Sequence, residues 1–83
     1  MQNITQTKDQ IDIIVIFTPK GPQPYSFKWS GKRFKVEKIN LVFEQKIGAD
    51  KLVYFSVTAE GNYFKLCFNT NKLKWFVEEV YHE

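Results

Sequence analysis

Cysteine, histidine and glycine are scarce in this chain, and each shortage removes a class of protein. The single cysteine, Cys67, excludes the internal disulfide framework that small secreted domains generally need. The single histidine, His82, stands next to the last residue and begins no zinc-protease motif. Four glycines form neither a Walker loop nor a Gly-x-Gly-x-x-Gly turn. Carboxylates are scattered, and the adjacent Glu78 and Glu79 would point to opposite faces of a strand. Neither catalysis nor a cofactor or metal is therefore expected. The longest apolar run, Ile13–Phe17, is far too short to cross a bilayer. Residues 1–6 carry no basic-then-apolar leader pattern, so a reduced, cytoplasmic setting without membrane contact is the natural expectation.

What is present is aromatic. Phe, Tyr and Trp make up 17% of 83 residues, which gives a short chain the means to build a core. Residues 1–9 are polar and aperiodic and read as a flexible tail, leaving residues 10–83 as one β domain. Ile11–Phe17 is β-branched with Asp12 as its only polar member, and such a strand expects cover on both faces. That cover would come from the rest of the domain or from a second copy of the chain. Pro19, Pro22 and Pro24 then mark an extended connector, and Pro19-x-x-Pro22 also matches a minimal polyproline ligand.

From Tyr25 the alternation becomes regular. Tyr25, Phe27 and Trp29 share one face, and Gly31-Lys32 fits a type II′ loop that sets Trp29 opposite Phe34 and Phe27 opposite Val36. Ile39, Leu41 and Phe43 have the opposite parity, so one bulge near Glu37-Lys38 is expected to return them to the inner face. A loop at Glu60-Gly61 pairs Val57 with Phe64, Phe55 with Leu66 and Val53 with Phe68. A tip at Thr70-Asn71 pairs Phe68 with Leu73, Leu66 with Trp75 and Phe64 with Val77. Leu73–Tyr81 also fits helical spacing, but its β-branched and aromatic content favours a strand. The expected architecture is all-β: a small antiparallel meander of five or six strands curled into a barrel or half-barrel.

The stretch Pro24-Tyr25-Ser26-Phe27-Lys28-Trp29-Ser30-Gly31-Lys32-Arg33-Phe34-Lys35-Val36, with the ending Trp75-Phe76-Val77-Glu78-Glu79-Val80-Tyr81, resembles a family of short bacterial β-proteins. The shared features are a Phe-x-Trp-x-Gly hairpin, a Gly-containing turn before a middle strand, and a terminal Trp followed by Val-Tyr. These are core and turn positions, so the resemblance implies a fold. It carries no assigned activity across.

Two surface groups stand out. Lys28, Lys32, Arg33, Lys35 and Lys38, diluted only by Glu37, make a basic hairpin in which the expected register sets Lys28 opposite Lys35. A phosphate or acidic partner would relieve that repulsion, or both side chains could splay into water and guard an edge. On the outer face, Tyr63, Lys65 and Cys67 should lie between Thr58, Ser56 and Tyr54 on one side and Glu78, Phe76 and Lys74 on the other. Tyr54, Tyr63 and Phe76 interleaved with Lys65 and Lys74 would suit base stacking with phosphate neutralisation, or a protein interface. Alternatively Ile11–Phe17 packs over them and they are core. The leading expectation is a non-catalytic module that binds protein or itself through Ile11–Phe17. The alternative is a nucleic-acid-binding small barrel.

Overall fold

Tight turns with positive φ set the frame of the sheet. Ser30 and Gly31 (φ 52° and 77°) and Glu60 and Gly61 (φ 50° and 79°) form two-residue type I′ loops, whose twist matches that of the strands they join. Glycine takes the second left-handed position of each without the Cβ clash that a larger residue suffers. The computed structural model describes residues 3–82. Seven strands run through them: β1 (Asn3–Gln10), β2 (Asp12–Thr18), β3 (Gly21–Trp29), β4 (Lys32–Ile47), β5 (Asp50–Ala59), β6 (Asn62–Asn69) and β7 (Lys74–His82). All pairings are antiparallel. The spatial order is β1-β7-β6-β5-β4-β3-β2, so consecutive strands neighbour one another except at the step from β1 to β2.

That exception curls the sheet. β1 and β2 occupy opposite ends of the order, yet Ile11 alone separates them in the chain. The two ends must therefore meet at Ile11, whose N–H donates to the Trp75 carbonyl at 3.0 Å. Ring contacts say the same. Phe27 on β3 and Phe64 on β6 are three strand spacings apart, about 14 Å in a flat sheet. Their centroids are 5.0 Å apart, edge to face. The Trp29 indole N–H also reaches across from β3 to the Asp9 carboxylate on β1, at 3.0 Å.

The inside of the curl holds one apolar core. Phe27, Phe34 and Phe64 cluster at one end, with Trp29 packed against them, and Phe55, Phe68 and Trp75 at the other. Val57, Leu66 and Val77 lie fully buried alongside, each worth about 1.5–3 kcal/mol of transfer free energy. β4 is 16 residues long because it serves two ladders, pairing with β3 over Lys32–Lys35 and with β5 from Val36 onward.

The all-β antiparallel meander is as expected, but the strand count is seven rather than five or six. Among the described residues no ladder joins β1 to β2, so the sheet is curled without closing into a barrel. The tail expected over residues 1–9 is a strand from Asn3 onward, while residues 1 and 2 lie outside the described set. β1 earns no apolar signal because backbone bonds to β7 hold it, with the Thr7 hydroxyl donating to the Val77 carbonyl at 2.5 Å.

The first hairpin turns at Ser30-Gly31 instead of Gly31-Lys32, because Ser30 accepts a left-handed backbone. The change moves the register by two residues and keeps Phe27 and Phe34 in the core, but Tyr25, expected on the same face, is the extra residue of a bulge against β2 and is exposed. Phe27 now meets Phe34, Lys28 meets Arg33, and Lys35 meets Ser26 rather than Lys28. The bulge at Glu37 is present, but Asn40 forms a second one. The second shift keeps Ile39 inward opposite Val57 and turns Leu41 and Phe43 outward, opposite Ser56 and Tyr54. The β5–β6 register matches the expectation at every position. β7 is a strand, but its turn is four residues long. Phe68 therefore meets Trp75, Leu73 is exposed, and a further bulge at Glu78 brings Phe64 opposite Val80.

Candidate functional site

Alternation along β4 to β7 sends every second side chain to the outside of the curl, where Tyr54, Lys65, Cys67 and Phe76 converge. Cys67 lies directly between Tyr54 and Phe76 across the two ladders. Phe43, turned outward by the Asn40 bulge, stacks on Tyr54 with centroids 4.9 Å apart and planes 16° apart. The Lys65 ammonium sits 4.9 Å from the Tyr54 ring centre and 5.7 Å from that of Phe43. Such a cation above two aromatic faces is held by the ring quadrupoles, about 0.5–1 kcal/mol each at an exposed position.

This cluster is closed to chemistry at its centre. Cys67 is 3% exposed, and burial with the nearby Glu78 charge pushes its thiol up to about 11. At neutral pH it is a protonated, poorly nucleophilic group. Burial, then the charges of Cys67 and Glu78, also hold the Tyr54 phenol above its ordinary value. A shallow cleft of about 320 Å³ beside the cluster is lined by Lys8, Ile47, Leu52, Phe76 and Glu78 with the two buried groups.

The other expected outer-face residues are spread out. Tyr63 stands exposed opposite Thr58 and Tyr81, near the far end of β6. Tyr81 donates its hydroxyl to Glu79 at 2.6 Å, a bond that raises its own pKa. Lys74 is exposed at the start of β7, opposite Asn69. Ile11–Phe17 does not pack over these aromatics, because β2 pairs with β3 at the opposite end of the sheet.

The basic hairpin exists as a surface. Lys28, Lys32, Arg33 and Lys35 are all exposed. Arg33 Nη1 donates to Ser26 Oγ at 2.7 Å, Lys32 lies 5.1 Å from the Phe34 ring centre, and Lys35 lies 5.8 Å from that of Tyr25. Lys28 has Asp12 across the β2 ladder as well as Arg33 across the β4 ladder. Among the described residues the ion pairs are Lys51–Glu44 and Lys72–Asp50, both away from this hairpin.

A third surface emerges only from the topology. β2 ends the sheet order, so one of its edges carries unpaired backbone donors and acceptors. Ile13 and Val15 turn inward against the core, whereas Ile14, Ile16 and Phe17 are 51%, 48% and 77% exposed. Beside the edge runs an open groove of about 520 Å³, walled by Ile13, Val15, Phe17, Phe68, Leu73 and Trp75. The sequence signal was the unbroken apolar run itself, which one buried face cannot account for.

No helix among the described residues is long and apolar enough to cross a membrane. No family model, curated protein or solved structure matches this chain.

Proposed function

We propose that this chain is a non-catalytic, cytoplasmic protein-interaction module that accepts an extended segment along the free edge of β2. One comparison carries the reading. Four stretches of edge lack a ladder partner among the described residues, and three carry the usual protection against strand addition, the one on β3 over residues 21–25 through Pro22 and Pro24. β1 is polar and kinked at Lys8 (φ 58°). The open side of β4 beyond Lys35 has two bulges and the charges of Glu37, Lys38, Glu44 and Lys46. β2 has Asp12 alone, no bulge of its own, and exposed isoleucines on its outer face. An added strand would satisfy its backbone and cover Ile14 and Ile16 together.

The test is anisotropy with labelled eight-residue peptides of alternating β-branched and polar residues, in several side-chain patterns. Binding to the chain and its loss in Ile14→Lys are expected. No binding by any pattern to the folded chain would overturn the proposal.

A second reading rests on the basic hairpin. Lys28, Lys32, Arg33 and Lys35 form an exposed cationic surface that suits a nucleic-acid backbone. A labelled oligonucleotide should then bind at low salt and dissociate steeply as salt rises. Absence of binding at low salt removes this reading.

A further inference from the structure

We propose that the segment accepted by β2 is the β2 of a second copy, paired antiparallel about a two-fold axis at Val15. This rests on the edge reading above and names its partner. In a continuous sheet, directly opposed residues share a face, so only registers that oppose residues of equal parity are allowed. For β2 against itself, three such registers retain most of the strand, with the axis at Ile14, Val15 or Ile16.

The axis at Ile14 sets Asp12 against Ile16 and buries a carboxylate's neighbourhood among apolar side chains. The axis at Ile16 leaves Asp12 and Ile13 beyond the partner strand and sets Ile14 against Thr18. The axis at Val15 opposes all seven residues of Asp12–Thr18. Ile14 then meets the second copy's Ile16, and Ile16 meets its Ile14, so both exposed isoleucines are covered by each other. On the inner face Val15 meets Val15, and Phe17 meets Ile13 beside the open groove. Asp12, the strand's one charge, falls opposite Thr18 and not its own copy.

This register gives the most exposed aromatic side chain of β2 a place. Phe17 is 77% exposed in the single copy because β2 runs out beyond the core. Across the two-fold it lies over the second copy's Ile13, next to the groove walled by Phe68, Leu73 and Trp75. The same contact occurs twice, as closed two-fold symmetry requires.

Light scattering and disulfide trapping test this together, in a Cys67→Ala background that removes the native thiol. Light scattering should give twice the 9.9 kDa chain mass at high concentration, falling toward that single mass on dilution. Ile14→Lys should shift the chain to monomer, and the milder Ile14→Thr should raise the concentration needed for the dimer. Under mild oxidation Val15→Cys should form a covalent dimer, because directly opposed Cα atoms lie about 4.5–5.5 Å apart, within disulfide reach. Ile13→Cys should not, because its two copies would be offset by four residues, about 13 Å. A dimer that traps through Ile13→Cys, or fails to trap through Val15→Cys, overturns the register. A monomer at all concentrations overturns self-pairing. If that monomer still binds the alternating peptides, the edge reading stands without it. If it binds none, both fall.

Discussion

Phe64 and Phe27 belong to strands that a flat sheet would hold about 14 Å apart, and their ring contact is the sharpest test of the curl. The perturbation is a double-mutant cycle of Phe27→Leu, Phe64→Leu and both. Leucine keeps most of the buried volume and removes the edge-to-face geometry. Phe64 is 1% exposed and meets Phe27, Trp29 and Phe34 with centroids at 5.0, 5.8 and 4.9 Å. Each aromatic pair contributes about 0.5–1.5 kcal/mol beyond area burial, and leucine keeps part of all three contacts, so Phe64→Leu should cost about 1–3 kcal/mol. The Phe27–Phe64 coupling alone should be about 0.5–1.5 kcal/mol. For a chain of this size total stability is on the order of 4–12 kcal/mol, so both single variants remain folded and measurable. Urea unfolding followed by tryptophan fluorescence is the assay, with a midpoint shift of about 1–2 M for the larger effect. Strict additivity of the two substitutions would refute the contact and with it the curled arrangement.

Alkaline pH should weaken the fold. Burial pushes the folded Cys67 thiol up to about 11 against 9.0 for a free thiol, so its contribution is fully present below pH 9 and is lost as pH rises through 11. Tyr54 is displaced in the same direction, and Cys67→Ala should flatten the pH dependence of the urea midpoint without abolishing it. At the turns, Ser30→Asn and Glu60→Asn place the residue best suited to φ near +50° before each glycine, and each should raise Tm by calorimetry. Leu73 pairs a left-handed backbone (φ 56°) with 75% exposure, so Leu73→Gly should be stabilising by about 1 kcal/mol in urea unfolding.

The legible parts of the fold were those where side-chain pattern and turn chemistry agreed. Glu60-Gly61 lies between two alternating runs, and its register could be read residue by residue. Ser30-Gly31 misled because glycine first and glycine second are both good hairpin loops, and the alternation cannot distinguish registers that differ by two. Each extra bulge inverts parity after it, so Asn40 decided whether Phe43 was core or surface. A polar asparagine between Ile39 and Leu41 marks that position, and its amide donates to Thr58 Oγ1 at 2.9 Å. β1 was invisible because its identity lies in β7's need for a partner, which local residues do not encode. Of the outer-face site, Tyr54, Lys65 and Phe76 do converge around Cys67, while Tyr63 and Lys74 fall to its margins. The edge of β2 required the strand order, which no local pattern supplies.

The pairing of Asn3 with His82 has a consequence for the order in which the molecule is made. Of the seven strands β1 is synthesised first, yet the strand that receives it is synthesised last. The hairpins from β3 to β6 can form during synthesis, because their partners are neighbours in sequence. β1 must wait for β7, and that long closure should be a late step of folding. Until it is made, Ile11 has no Trp75 carbonyl to anchor it, and β2 is held to the body through β3 alone. A nascent chain would then expose more of that apolar strand than the finished protein does.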